Sequence, residues 1–265
     1  MEPFIKPKSA NDIGAVILAG GLGARIREMY PLIPKPMIEV CGSPFIEWVI
    51  RYFFTQGLTD FCISVGYKAE VIEKYFEGRP ADGIGLHCVR EESPQGTAGG
   101  FLLSAAKFHN KDYLLAANGD SLILADLSPT FEMLRRGHYD AVIIGRRVED
   151  RSLYGSLECD ENGMLAQFRE KEKGEGLVNA GVYVFPRSSL RNFPSKKPLS
   201  FEYDVFPSLL QKGMKIRVLA VDAPFIDIGT PEAMREVESF IRTHKANFIC
   251  DWQKNSENAI GEQCK

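Results

Sequence analysis

The sequence predicts an α/β protein in which a mostly parallel, mixed sheet is flanked by helices and followed by an antiparallel hairpin insertion. Three observations lead there. Short apolar, β-rich runs alternate with runs of helical apolar spacing from residue 13 to residue 145, the order that right-handed βαβ units produce. The first of these runs enters a glycine-rich turn, LAGGLGAR at 18–25. Beyond residue 150 the rhythm gives way to two short β-like runs joined by Asp160-Glu161-Asn162-Gly163, and an Asn-Gly step in that setting is a strong hairpin signal.

Taken in order, residues 15–18 form a buried strand feeding the glycine turn. Residues 45–56 read as a helix, 61–65 as a strand, 69–76 as a helix and 86–90 as a strand. The alternation continues with a helix at 99–107, a strand at 113–117, a helix at 128–136 and a strand at 141–145. The hairpin strands are 155–159 and 165–169. A strand at 178–185, an amphipathic helix at 202–211 and a strand at 216–221 follow. The last helix, 231–243, has Thr230 as its N-cap and Pro231 at its first position, where the missing N–H costs nothing. Periodicity fades from Lys245. The expected organisation is an N-terminal extension (1–12), a single domain (13–243) whose insertion spans about 150–185, and a C-terminal tail (244–265).

Composition narrows the function. The 265 residues are 45% apolar and 25% charged, ordinary for a globular chain. Lys and Arg number 32 against 35 Asp and Glu, a net charge of −3, so no surplus of positive charge is available to hold polymeric nucleic acid by counterion release. No run approaches the roughly 20 apolar residues of a membrane span, and the start lacks the pattern of a signal peptide; a cytoplasmic location without membrane association is expected. The six cysteines and four histidines are scattered without metal-ligand or disulfide spacing.

Three glycines after a strand let backbone N–H groups approach phosphate oxygens, so a polyphosphate is the natural guest of the 18–25 turn. A dinucleotide fingerprint fails because Ile26 stands where G-x-G-x-x-G needs its third glycine, and no Gly-Lys pair exists to build a Walker loop. Arg25 follows the glycines, and Lys35 stands between Pro34 and Pro36 on a stiff backbone. These two cations suit a phosphate, the first as a bidentate fork and the second as a point charge. Asp120 follows an apolar strand and belongs at the carboxyl end of the sheet, where open α/β sheets bind ligands. Asp227 also follows an apolar pair and precedes a helix. Two such carboxylates are enough for a Mg²⁺ ion that takes its other ligands from phosphates and water.

The run AVILAGGLGARIREMYPLIPKPMIEVCGSPFIEWVI, with Gly66-Tyr67-Lys68, Glu91-Glu92, Pro94-Gln95-Gly96-Thr97, Asn118-Gly119-Asp120, Tyr154-Gly155, Glu170-Lys171, Asn179-Ala180-Gly181 and Asp227-Ile228-Gly229-Thr230-Pro231, resembles the sugar-phosphate nucleotidyltransferases. The resemblance covers roughly residues 13–240 and is strongest to the D-glycero-α-D-manno-heptose 1-phosphate guanylyltransferases. It implies a Rossmann-like, GT-A-like fold and transfer of a nucleoside monophosphate from a nucleoside triphosphate to a sugar 1-phosphate. It also implies Mg²⁺ on Asp120 and Asp227, and catalytic roles for Arg25, Lys35, Asp120 and Lys171. The nucleotide falls to Leu18, Gly20, Gly21, Gly23, Arg25, Glu92, Gln95, Gly96 and Thr97. The sugar phosphate falls to Tyr154, Gly155, Glu170, Lys171 and Asn179. GTP with the heptose phosphate is the expected pair; uridylyl, thymidylyl, cytidylyl or adenylyl transfer to another sugar phosphate, and a catalytically silent regulatory subunit, are the alternatives. The amide of Gln95 suits guanine, uracil or thymine, and Glu92 offers a second way to meet guanine's donors. The sequence is compatible with a homo-oligomer and does not fix one.

Overall fold

The computed structural model describes residues 10–23, 26, 28–78, 83–152, 154–169 and 173–248. The strands are β1 (Ile13–Ala19), β2 (Glu39–Val40), β3 (Ser43–Pro44), β4 (Asp60–Val65), β5 (Gly85–Arg90), β6 (Tyr113–Asn118), β7 (Ser121–Ile123), β8 (Ala141–Val148), β9 (Ser156–Cys159), β10 (Leu165–Arg169), β11 (Gly176–Pro186), β12 (Ile216–Val221) and β13 (Phe225–Asp227). The helices are α1 (Phe45–Thr55), α2 (Ala69–Phe76), α3 (Thr97–Ala105), α4 (Ser128–Arg135), α5 (Phe206–Gln211) and α6 (Pro231–Thr243). Strands β6, β1, β4 and β5 run parallel, as the alternation predicts. The long β11 then pairs antiparallel to β6 and, on its other edge, to β8, which is joined in parallel by β12.

Each central strand serves two cores, because successive side chains point to opposite faces. In β1, Ala15, Ile17 and Ala19 pack with α1, α2, α4 and α6, while Val16 faces α3 and α5. Both faces are therefore dry, which is why the parallel strands read as continuous apolar runs. No helix among the described residues is long and apolar enough to cross a membrane.

The antiparallel insertion has a definite place. Val182 of β11 lies opposite Ala117, so residues 176–179 extend beyond the carboxyl end of β6. There Val178 pairs with Ser156, and β9 and β10 form the expected hairpin, with Gly163 at φ +69° in its turn.

Two local expectations need correction. Helix α3 starts at Thr97 rather than at residue 99, because the Leu199 carbonyl accepts the N–H groups of Ala98 (2.9 Å) and Gly99 (3.1 Å), satisfying donors a helix start leaves unpaired. The predicted helix 202–211 is a π turn, Phe201–Val205, followed by α5. Pro207 lacks an N–H and its ring opposes the carbonyl four residues back, so the bonding shifts to Val205 N–H on Ser200 O at 3.0 Å. Residues 10–12 pack on the domain: Ala10 is buried and Asp12 pairs with Arg135. Finally, 245–248 form a 3₁₀ turn whose Phe248 packs edge-on against Trp48, ring centroids 5.2 Å apart. Residues 1–9 and 249–265, where the sequence also places the extension and the tail, lie outside the described residues.

Candidate active site

At the carboxyl end of β6 the chain passes through Gly119 to Asp120 and into β7, a strand the sequence pattern did not reveal. Strand β7 pairs antiparallel with β13, setting Asp227 opposite Ser121, and Ile228 N–H bonds the Asp120 carbonyl at 3.0 Å. This small ladder brings the two aspartates to one point. Lys35 enters between them from the 3₁₀ turn Lys35–Met37; its Nζ donates to Asp120 Oδ2 at 2.7 Å and to Asp227 Oδ1 at 3.1 Å. The three residues stand 85 and 192 positions apart in the chain.

Burial and neighbouring charge pull against each other in this cluster. Burial disfavours the Lys35 ammonium, but the facing Asp120 and Asp227 charges outweigh it and raise its pKa above the ordinary value. Asp227 shifts upward, first because it is buried and next because Asp120 is a like charge beside it, with Lys35 pulling the other way. Gly229 N–H also donates to Asp227 Oδ1 at 2.8 Å.

A cavity of about 640 Å³ opens beside this cluster. Leu18, Gly20, Gly21 and Gly23 line one wall, Glu92, Gly96 and Thr97 another, and Lys35 and Asp120 its floor. One predicted assignment changes here, and one residue is added. Gln95 does not line the cavity: its amide turns back to donate to Ser93 O (2.8 Å) and Ser93 Oγ (2.9 Å). Glu91, which the motif contains but to which the sequence assigns no role, lines it beside Glu92 and is held in place. Ser64 Oγ donates to Glu91 Oε1 at 2.9 Å and Gln95 N–H to Oε2 at 2.9 Å. A methyl group on Gly20 would come within 2.6 Å of that carboxylate and force it to shift from its partners. Position within the motif could not separate two adjacent glutamates; the register of β5 does, by leaving Glu91 just past the strand end.

On the sugar side, Asn179 N–H donates to Gly155 O at 2.9 Å and Tyr154 stacks edge-on against Phe225, two residues before Asp227. Tyr154, Gly155 and Asn179 thus gather at the free end of β11 near the carboxylates. The Asn179 side chain does not line the 640 Å³ cavity, and half of its hydrogen-bonding capacity is engaged within β11. Its Nδ2 donates to Tyr183 OH at 2.6 Å and its Oδ1 accepts Gly181 N–H at 3.0 Å. Arg25, Glu170 and Lys171 lie outside the described residues.

The Nucleotidyl transferase family profile matches residues 14–244, nearly the whole described chain. The chain belongs to the nucleotidyl transferase family. It is 35% identical over 220 residues to a D-glycero-alpha-D-manno-heptose 1-phosphate guanylyltransferase of Campylobacter jejuni, covering 82% of this chain and 95% of that one. It is 34% identical over 227 residues to a mannose-1-phosphate guanylyltransferase of Mycobacterium tuberculosis, covering 84% of this chain but 63% of the relative. Among solved structures, HddC from Yersinia pseudotuberculosis, crystallised with GMP-PN, superposes with a TM-score of 0.74 at 31% identity, over 85% of this chain and 98% of that one. The nucleotidyl transferase described here is accordingly a sugar-1-phosphate nucleotidyltransferase, and the family's substrates are a nucleoside triphosphate and a sugar 1-phosphate.

For the divalent cation the resemblance implies, the donor chemistry fits. Asp120 and Asp227 converge on one point, and among the described residues no third His, Cys, Asp or Glu joins them. Two carboxylates are what Mg²⁺ takes from a protein when phosphates and water supply the rest.

Proposed function

We propose that this nucleotidyltransferase transfers a guanylyl group from GTP to D-glycero-α-D-manno-heptose 1-phosphate, releasing pyrophosphate. The observation that carries the base assignment is the Glu91 carboxylate in the cavity wall. An ionised carboxylate only accepts hydrogen bonds, and guanine is the base that offers a ring N–H beside an exocyclic amine on one edge. The heptose assignment rests on the relatives named for that sugar, which this chain matches over nearly their full length.

In this reading an oxygen of the sugar 1-phosphate attacks the α-phosphorus of GTP in line and pyrophosphate leaves. The sugar phosphate is ionised near neutrality, so no protein nucleophile is needed and a general base adds little. The chain contributes position and charge: the glycine turn cradles the phosphates, Lys35 neutralises charge developing between the α-phosphate and the leaving group, and Tyr154 and Gly155 hold the sugar side. Mg²⁺, held by Asp120 and Asp227, would supply further electrostatic stabilisation of the phosphates. Arg25 and Lys171 take the phosphate roles the resemblance assigns them, and Glu170 binds sugar hydroxyls.

The test is Mg²⁺-dependent pyrophosphate release over five nucleoside triphosphates and a panel of sugar 1-phosphates that includes the heptose, mannose and glucose. GTP with the heptose phosphate should dominate. Glu91→Gln, which puts a donor against guanine's donors, should raise the KM for GTP by about tenfold or more. A dominant signal from another pair would keep the chemistry and discard these substrates. Silence with ligand binding intact would favour a regulatory subunit.

A further inference from the structure

Glu202 has no role in the reading above, yet it is the centre of the polar cluster nearest the sugar side. It sits half-buried in the π turn Phe201–Val205, on the face of the sheet opposite α1. Its Oε2 accepts from Ser200 Oγ at 2.7 Å and from Thr97 Oγ1 at 3.2 Å; its Oε1 accepts from Tyr183 OH at 3.0 Å. Each partner is engaged again on its far side. Thr97 Oγ1 accepts Phe201 N–H at 3.0 Å, and Tyr183 OH accepts from Asn179 Nδ2 at 2.6 Å. The result is one continuous chain of hydrogen bonds from the start of α3, on the cavity wall, to Asn179 on β11.

The direction of every bond in that chain follows from one group. A carboxylate has no proton to give, so all three hydroxyls must donate toward Glu202. Tyr183 OH, having spent its proton, can only accept from its other neighbour, and that obliges Asn179 to present Nδ2 rather than Oδ1. With Gly181 N–H on Oδ1, the carboxamide is locked in a single orientation. Tyr183 is fully buried, and burial, followed by the Glu202 charge, keeps its phenol neutral and protonated. The same segment fastens the nucleotide loop: Leu199 N–H bonds Gln95 O at 2.7 Å, and Leu199 O holds the first turn of α3.

We propose that Glu202 is a positioning residue that fixes the orientation of Asn179 through the chain Thr97–Glu202–Tyr183–Asn179. This rests on the function proposed above, with Thr97 on the nucleotide side and Asn179 on the sugar side as the resemblance implies. The locked carboxamide keeps one N–H and one lone pair for sugar hydroxyls, in a fixed arrangement. Reversing it would exchange donor for acceptor and mismatch the hydroxyl pattern.

The experiment uses the full chain with Glu202→Gln, Tyr183→Phe, the double variant, and Glu161→Gln as an exposed control. Glutamine keeps the shape of the side chain and lets the Tyr183 hydroxyl reverse. Glu202→Gln and Tyr183→Phe should each raise the KM for the sugar phosphate about fivefold to tenfold, the cost of one misdirected hydrogen bond. The KM for the triphosphate should stay within about twofold. The double variant should be no worse than the poorer single one, because both break the same chain. Unchanged sugar-phosphate KM values, or effects that multiply, would overturn the proposal. If Glu202→Gln does not fold, Tyr183→Phe carries the test by the same criterion. Side-chain amide NMR separates this proposal from the functional reading: the Asn179 Nδ2 resonances, identified through Asn179→Ala, should move in Glu202→Gln and stay in Glu161→Gln. Should the wild type transfer nothing, the functional reading falls, and immobility of those resonances would independently overturn the chain.

Discussion

Lys35 illustrates how much one residue is asked to do. Its ammonium holds together two carboxylates that would otherwise repel, at 2.7 and 3.1 Å, with its own side chain 10% exposed. Lys35→Ala and Asp120→Ala should each cut turnover by orders of magnitude while circular dichroism shows an intact fold. Lys35→Ala carries a second expectation: with the ammonium gone, the paired charges should bind Mn²⁺ without nucleotide about tenfold more tightly or better, measured by electron paramagnetic resonance. Near-normal activity in either variant would refute the assigned roles. The residue types and their motif positions were legible in the sequence, down to Lys35 between two prolines. That Gln95 turns back on Ser93 while Glu91 lines the cavity was not, since side-chain direction in a short loop depends on what the neighbouring strand and helix leave open.

At the scale of elements, junctions between segments carry the stability. Asp12, at the entry to β1, accepts two bonds from Arg135 in the last turn of α4, at 2.9 and 2.5 Å. The hydrogen bond to Arg135 holds the Asp12 carboxyl below its ordinary value of 3.8, against the opposing effect of burial. A lowered folded-state pKa means that the contribution is present above pH 3.8 and is lost as pH falls through the folded value. Asp12→Asn should therefore lower the unfolding free energy measured in urea at pH 7 by about 1 kcal/mol or less, and the gap from wild type should narrow as the pH falls below 3.8. Gly96 is the other junction. It has φ +77°, and an added Cβ would lie 2.5 Å from the Leu199 carbonyl oxygen that holds α3. Gly96→Ala should raise the KM for the triphosphate and expose the Ala98 and Gly99 amides to hydrogen exchange. For α6, Thr230 Oγ1 accepts Ala233 N–H at 3.2 Å, as the sequence anticipates, and Thr230→Ala should cost about 1 kcal/mol in chemical denaturation.

Over the whole molecule, the two faces of one sheet divide the work. One core carries the helices that support the glycine turn and Lys35; the other is a cluster of aromatic rings under the sugar side. In the second, Phe201 stacks on Phe185 with centroids 5.6 Å apart and meets Tyr183 at 4.9 Å. Phe201→Ala should cost about 3–5 kcal/mol by urea unfolding, the range for emptying a buried aromatic site. The sequence by itself determined the strand–helix rhythm, the hairpin at Asn162-Gly163, the phosphate-binding turn and the residue types of the family's motifs, because these depend on neighbours a few positions away. Only the tertiary structure decided that β7 pairs with β13, that Lys35 lies between Asp120 and Asp227, and that Glu202 reaches Tyr183 and Thr97. Those contacts join residues remote along the chain, and they form only once sheet order and loop docking have fixed which strand ends lie side by side, which local periodicity does not encode.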